Sequence, residues 1–268
     1  MEPGVEAALS RLYGELQGIL GGDLSLYLYG SAVLDDFRLG WSDIDLLCVA
    51  PRIPDEALER LVPLRQTLLE EEPDNPYYRS FEGLLALTGA EQPCVYWGTS
   101  GQRVVSRCSL DVFARYELKT SGVLLYGRER LDALGIPSFR ELRQGVQAHL
   151  DAIRRYASQT ANPLYACGWL LDIARCLFTL RTGRVAAKTA AGEWALAGRL
   201  CPDEEALART LAARREPLRF KNDPGFAEWT AGLGESIQAF ADVLGQELER
   251  TADGFPNDGR DRFSLVQH

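Results

Sequence analysis

Leu24-Ser25-Leu26-Tyr27-Leu28-Tyr29-Gly30-Ser31, followed after a polar loop by Ser42-Asp43-Ile44-Asp45-Leu46-Leu47-Cys48-Val49-Ala50, is the stretch whose reading decides the fold. Both apolar runs are short, rich in strand-forming residues and bounded by turn residues, Gly21-Gly22-Asp23 before the first, Pro51 and Pro54 after the second, so each reads as a buried strand. Residues two apart on a strand share a face, which puts the carboxylates of Asp43 and Asp45 on one side. Such a pair suits Mg²⁺, which takes one or two carboxylates together with substrate phosphate oxygens and keeps part of its water shell. Gly30 lets the backbone approach a phosphate closely, and Ser31 adds a hydroxyl and an amide donor. Taken alone, Asp-x-Asp is more often two solvated charges at a strand edge. Here a strand and Gly-Ser precede the pair and a buried strand follows at once, and two neighbouring aspartates would repel each other unless a cation were present.

Working outward, Glu6 to Leu20 carries apolar positions Leu9, Leu12, Leu16, Ile19 and Leu20 close to the helical period, and Asp55 to Glu71 shows helical spacing again. Phe81 to Leu87 is a third apolar run of strand length. The order helix, strand, strand, helix, strand predicts an α/β unit. Between Pro93 and Asp111 the pattern is mixed, and Leu110-Asp111-Val112-Phe113 fits either a short strand or the start of a helix running to Thr120. Gly122 to Gly127 is a short extended element, and Gly135-Ile136-Pro137-Ser138 reads as a linker that caps the next helix. From there the periodicity is helical, with helices expected at 139–159, 163–181, 189–200, 203–216 and 224–249. The predicted organisation is an α/β domain over 1–136, an all-α domain over 137–253, and a polar, mobile tail over 254–268.

Composition sets outer bounds. At 268 residues, with 46% hydrophobic and 25% charged side chains, the chain has enough apolar material to fold unaided. A net charge of −9 disfavours nucleic acid as a partner and suits a small cationic substrate. Six scattered cysteines without a C-x-x-C pair, and only two histidines, argue against zinc and for free buried thiols. The N-terminus has neither a basic region nor an apolar run, and no stretch looks long enough and apolar enough to span a bilayer, so a cytoplasmic monomer without membrane contact is expected.

Leu28-Tyr29-Gly30-Ser31-Ala32-Val33 followed by Ser42-Asp43-Ile44-Asp45-Leu46-Leu47 resembles the signature of the polymerase-beta-like nucleotidyltransferases. A second segment, Ala174-Arg175-Cys176, then Thr182-Gly183-Arg184-Val185-Ala186-Ala187-Lys188, then Glu193-Trp194-Ala195, resembles the helical domain of the streptomycin/spectinomycin adenylyltransferases. The similarity spans roughly residues 24 to 200. It implies a mixed sheet with flanking helices followed by a helical domain, with a nucleotide in the cleft between them. By that resemblance Asp43 and Asp45 bind magnesium, Gly30, Ser31 and Ser42 lie against the nucleotide, and Arg175 and Lys188 reach its phosphates from the second domain. Where the family has a tyrosine near the nucleotide base, this chain reads Ala212-Ala213-Arg214-Arg215-Glu216.

For a third carboxylate, Glu82 and Asp111 compete. The family's general base lies on the third strand, in a Leu-Glu-Val-Thr-Val-like sequence a few tens of residues after the paired aspartates, and Phe81-Glu82-Gly83-Leu84-Leu85 occupies that place. Glu82 is therefore the expected base, accepting the acceptor hydroxyl's proton. Trp97, in a glycine-containing polar stretch, is a candidate to stack on a substrate ring. Asp172, one helical turn before Arg175, is a candidate to hold a substrate amine. The expected reaction is Mg²⁺-dependent transfer of AMP from ATP to a hydroxyl of an aminoglycoside or aminocyclitol antibiotic. Alternatives are another acceptor, such as a lincosamide or a protein hydroxyl, or a nucleotide-binding regulatory module without catalysis. The intact Gly30, Ser31, Asp43 and Asp45 argue against the last.

Overall fold

The computed structural model describes residues 3–87, 93–98, 101–106, 110–157 and 162–252. The first half runs α1 (Pro3–Leu20), β1 (Ser25–Tyr29), a 3-10 turn over Gly30–Ala32, β2 (Ile44–Ala50), α2 (Asp55–Leu61), α3 (Leu64–Glu71), β3 (Phe81–Leu87), β4 (Cys94–Gly98), β5 (Gly101–Val105), α4 (Val112–Thr120) and β6 (Val123–Tyr126). The six strands form one sheet in the order β5-β4-β3-β2-β1-β6. β2 and β3 are parallel, which requires a crossover, and α2 and α3 supply it; the other pairings are antiparallel. The mixed sheet with flanking helices expected from the sequence is present.

Strand alternation divides the sheet's side chains between two environments. Leu26, Leu28, Ile44, Leu46, Cys48, Phe81, Val95 and Trp97 form one core with Leu9, Leu12 and Leu16 of α1 and with Ala57, Leu61, Leu64 and Leu68 of α2 and α3. Tyr27, Tyr29, Leu47 and Val49 point the other way and pack with Leu118 of α4. Asp45, between Ile44 and Leu46, shares this second face. Gly83 belongs in β3 because a Cβ there would sit 2.6 Å from the Leu46 carbonyl oxygen.

The second half is helical: α5 (Phe139–Tyr156), α6 (Pro163–Thr182), α7 (Lys188–Ala197), α8 (Glu204–Arg215), α9 (Pro217–Phe220), α10 (Pro224–Ala231) and α11 (Gly234–Arg250). Its boundaries follow local chemistry. Ser138 and Glu141 form a reciprocal cap at α5, Asn162 caps α6 with Pro163 in the first turn, and Gly183 ends α6 in the left-handed conformation. α6 is the centre of the bundle, packed against α5, α7, α8, α10 and α11. Contrary to the sequence reading, its length and apolarity would suffice to cross a membrane. Burial inside the bundle accounts for that apolar surface.

Other expectations need correction. The helix predicted over Asp55 to Glu71 is two helices, because Pro63 lacks the N–H that would continue α2. The helix predicted over 224–249 breaks at Gly232-Leu233 into α10 and α11. The mixed stretch from Pro93 contains the antiparallel pair β4–β5, and Asp111 caps α4, so 110–113 begins a helix. Cys48, Cys167, Cys176 and Cys201 are buried free thiols as expected, whereas Cys94 is disulfide-bonded. The tail 254–268 lies outside the described residues.

Candidate active site

At the carboxyl end of β1 the chain turns through Gly30, and this glycine is needed twice over. Its φ of +67° disfavours any side chain, and a Cβ would lie 2.1 Å from Asp45 Oδ2. The turn thereby leaves the room that the Asp45 carboxylate fills. Asp45 is flanked in register by Tyr29 on β1 and Glu82 on β3, so all three side chains emerge on the same face. Asp43, just before β2, lies close enough to Glu82 for their charges to interact, and Tyr96 Oη donates to Glu82 Oε1 at 2.9 Å. Three carboxylates thus meet at one edge of the sheet. Arg65 backs them from α3, donating to the carbonyls of Phe81 (2.7 Å) and Gly98 (3.2 Å).

Crowding sets the electrostatics. Burial, then the charge of Glu82, pushes the Asp43 carboxyl up to about 7. Burial pushes Asp45 well above the usual carboxylate range, with Glu117, Asp43 and Glu82 adding to it. Tyr29 is buried beside these acids, and burial followed by the charge of Asp45 keeps its hydroxyl protonated. Without a counter-cation this edge cannot carry its full negative charge. Asp43 and Asp45, with Glu82 beside them, supply hard oxygen atoms. Among the described residues no group of three or more His, Cys, Asp or Glu is placed to hold a metal ion unaided; a pair of carboxylates joined by substrate phosphate oxygens and water is a ligand set that Mg²⁺ accepts.

Across a cleft of about 890 Å³ stand the cations of the helical half. Lys188, the first residue of α7, pairs with Asp172 at 3.0 Å, and Arg175 pairs with Asp172 at 3.3 Å and with Glu117 at 3.5 Å. The Arg175 guanidinium also lies 5.1 Å from the Phe113 ring centroid, and its buried Nε has no protein partner. Burial opposes the charge on Asp172, but Lys188 and Arg175 overcome it and hold its carboxyl below the ordinary value. Glu117 is different: burial dominates and raises it despite Arg175.

The structure therefore brings Gly30, Ser31, Ser42, Asp43, Asp45, Glu82, Asp172, Arg175 and Lys188 to one cleft. Glu82, not Asp111, lies beside the paired aspartates; Asp111 accepts the Ala114 N–H at 2.8 Å as the cap of α4. Ser31 Oγ donates to the Asp43 carbonyl at 3.2 Å. Three expectations are corrected. Trp97 is 3% exposed, with its indole N–H donating to the Leu61 carbonyl, because alternation along β4 turns Tyr96 to the cleft and Trp97 to the core. The buried Ser42 hydroxyl closes its own loop, accepting from the Arg38 N–H and donating to the Asp36 carbonyl. Asp172 spends its charge on Lys188 and Arg175, so it holds those cations in place rather than standing free for a substrate amine. Sequence reasoning missed Glu117, Tyr96 and Arg65. Glu117 left a trace, since Phe113 and Glu117 stand four apart and place a carboxylate on the apolar side of α4.

Residues 9–80 match the nucleotidyltransferase domain, and residues 136–223 match the C-terminal domain of the aminoglycoside adenylyltransferases. Among curated proteins none matches the chain. Among solved structures, the chain is similar to spectinomycin adenyltransferase AAD(9) from Enterococcus faecialis, crystallised with ATP and spectinomycin, at a TM-score of 0.66 and 17% identity, covering 88% of this chain and 98% of that one. The chain is thus an enzyme of the nucleotidyltransferase type, in which a nucleotidyltransferase domain is joined to an aminoglycoside adenylyltransferase-like helical domain.

Proposed function

We propose that the enzyme moves AMP from ATP to a hydroxyl of a small molecule, with Mg²⁺ held by Asp43 and Asp45 and pyrophosphate leaving. The observation that carries this reading is the convergence of Asp43, Asp45 and Glu82 on one edge of the sheet, facing Lys188 and Arg175 across the cleft. Carboxylates that crowd one another until burial raises them match a divalent cation, and the two cations opposite match a triphosphate. In this mechanism Lys188 and Arg175 position the phosphates, Gly30 and Ser31 border them, and Glu82, oriented by Tyr96, takes the acceptor's proton. Catalysis is positioning and charge stabilisation. The two units correspond to 1–136 and 137–253, and the protein acts as a cytoplasmic monomer.

The acceptor we propose is an aminocyclitol or aminoglycoside, supported by the ligand named for the similar solved structure. One observation favours a less cationic acceptor, such as a lincosamide. Among the described cleft-lining residues, Asp111 is the sole carboxylate that is neither beside the paired aspartates nor ion-paired, while Tyr156 and Tyr165 are exposed. Incubation with ATP, Mg²⁺ and a panel of both antibiotic classes, read by mass spectrometry, tests this. Gain of one AMP mass on a hydroxylated compound is expected, and absence of any adduct together with equal ATP affinity with and without Mg²⁺ would overturn the reading.

A further inference from the structure

The loop between β1 and β2 reaches into the helical half through one side chain. Asp36, 3% exposed, accepts the backbone N–H of Thr189 at 3.2 Å, takes the Thr189 hydroxyl as well, and pairs with Arg214 Nη2 at 2.8 Å. Arg214, 2% exposed, also donates from Nε to Thr189 Oγ1 at 2.9 Å and from Nη2 to the Asp36 carbonyl at 3.3 Å, and its guanidinium lies 5.5 Å from the Trp41 ring centroid. These contacts join residues 153 and 178 positions apart in the chain.

Two features make this more than a buried ion pair. The first concerns α7, whose own N-cap, Ala187, makes no side-chain hydrogen bond. Helix starts leave N–H groups without intrahelical partners, and a carboxylate there is favoured by both hydrogen bonding and the helix dipole. Asp36 fills that role from the other half of the molecule, next to Lys188. The second concerns the other end of the connection. The Asp36 N–H donates to the Ser31 carbonyl at 3.0 Å, and the Asp36 carbonyl accepts from Ser42 Oγ at 3.4 Å. Asp36 is therefore tied to both ends of the loop that delivers Asp43 and Asp45. A fully buried pair contributes little net stability against an apolar replacement, so its physical use is to fix a relative position.

We infer that Asp36, Thr189 and Arg214 form an interdomain clamp that sets Lys188 at a fixed place opposite Asp43 and Asp45. Arg214 is a positioning residue: its Nε and Nη2 are spent on the clamp, and it acts on the nucleotide through α7. The inference rests on the reading of Lys188 as a phosphate-binding residue, and two separate measurements tell the failure of one from the failure of the other.

Hydrogen exchange of the metal-free, ligand-free full chain tests the clamp itself. Arg214→Met should speed exchange in both 31–42 and 188–197 while leaving the central helix α6 unchanged. Calorimetry with Mg²⁺ and ATP tests its consequence: affinity should fall by about five- to 150-fold, the usual span of a coupling between sites. Arg214→Lys, which keeps the charge, should recover part of it. Thr189→Val, which leaves the Asp36–Arg214 pair intact, should shift both readouts in the same direction and carries the test should Arg214→Met fail to fold. Faster exchange with unaltered Mg²⁺-ATP affinity would overturn the positioning role. Lost affinity with unaltered exchange in both segments would overturn the clamp and assign Arg214 to direct nucleotide contact. A wild-type protein that does not bind Mg²⁺-ATP at all would instead sink the nucleotide-site reading, and with it the role given to Lys188.

Discussion

Asp43→Asn is expected to stabilise the metal-free protein while abolishing turnover. The carboxyl of Asp43 is held protonated by the native state up to about 7, through burial and through Glu82. The unfolded chain, by contrast, ionises it at the ordinary aspartate value. Between these values the unfolded state binds fewer protons than the native one, so stability falls as pH rises through the window from about 4 to about 7 and levels off above it. The full shift corresponds to about 4 kcal/mol at alkaline pH as an upper bound, reduced to about 1–3 kcal/mol by relaxation of the site and by solvent screening. Asparagine has the same shape without the charge, and its amide can donate to Glu82. Urea denaturation in EDTA at about pH 5.5, 6.5 and 8 should show the variant gaining on the wild type as pH rises, with a flatter pH profile. Saturating Mg²⁺ should stabilise the wild type more than the variant, because only the wild type keeps both ligands. A variant less stable than the wild type at pH 8 in EDTA, or with an unchanged pH profile, would refute the electrostatic account of this edge.

Glu82→Gln should leave Mg²⁺-ATP binding nearly unchanged in calorimetry yet slow single-turnover transfer by about a hundredfold to ten-thousandfold, as expected for loss of a general base. Asp111→Asn, the control, should retain activity, since asparagine caps helices almost as well. Gly30→Ala should weaken Mg²⁺ binding far more than its effect on melting would suggest, because the new methyl must displace the Asp45 carboxylate; equal metal affinity in both proteins would contradict the proposed fit. Trp97→Phe should cost about 1–3 kcal/mol of stability through the lost Leu61 hydrogen bond and core volume, and acceptor affinity measured at equal folded fraction should not move.

Local chemistry by itself determined a good deal of this protein. The strand-Gly-Ser turn, the Asp-x-Asp pair, the glutamate on the third strand and the Thr-Gly-Arg segment are short-range patterns, and strand alternation alone puts Asp43 and Asp45 on one face. Helix caps such as Ser138 with Glu141 and Asn162 with Pro163 are likewise legible, because each is satisfied within a few residues. What the tertiary structure decided depends on partners far away in the chain. Trp97 reads as polar-flanked and exposed until the register of β4 against β3 turns it inward and brings Tyr96 to Glu82 instead. Asp172 reads as a free acid until Lys188 and Arg175 close on it. Arg214 stands in an Arg-Arg-Glu run with nothing local to mark it, and only folding across 178 positions buries it against Asp36. A charge is placed by its counter-charge, and when that counter-charge lies on another domain no local pattern can announce it.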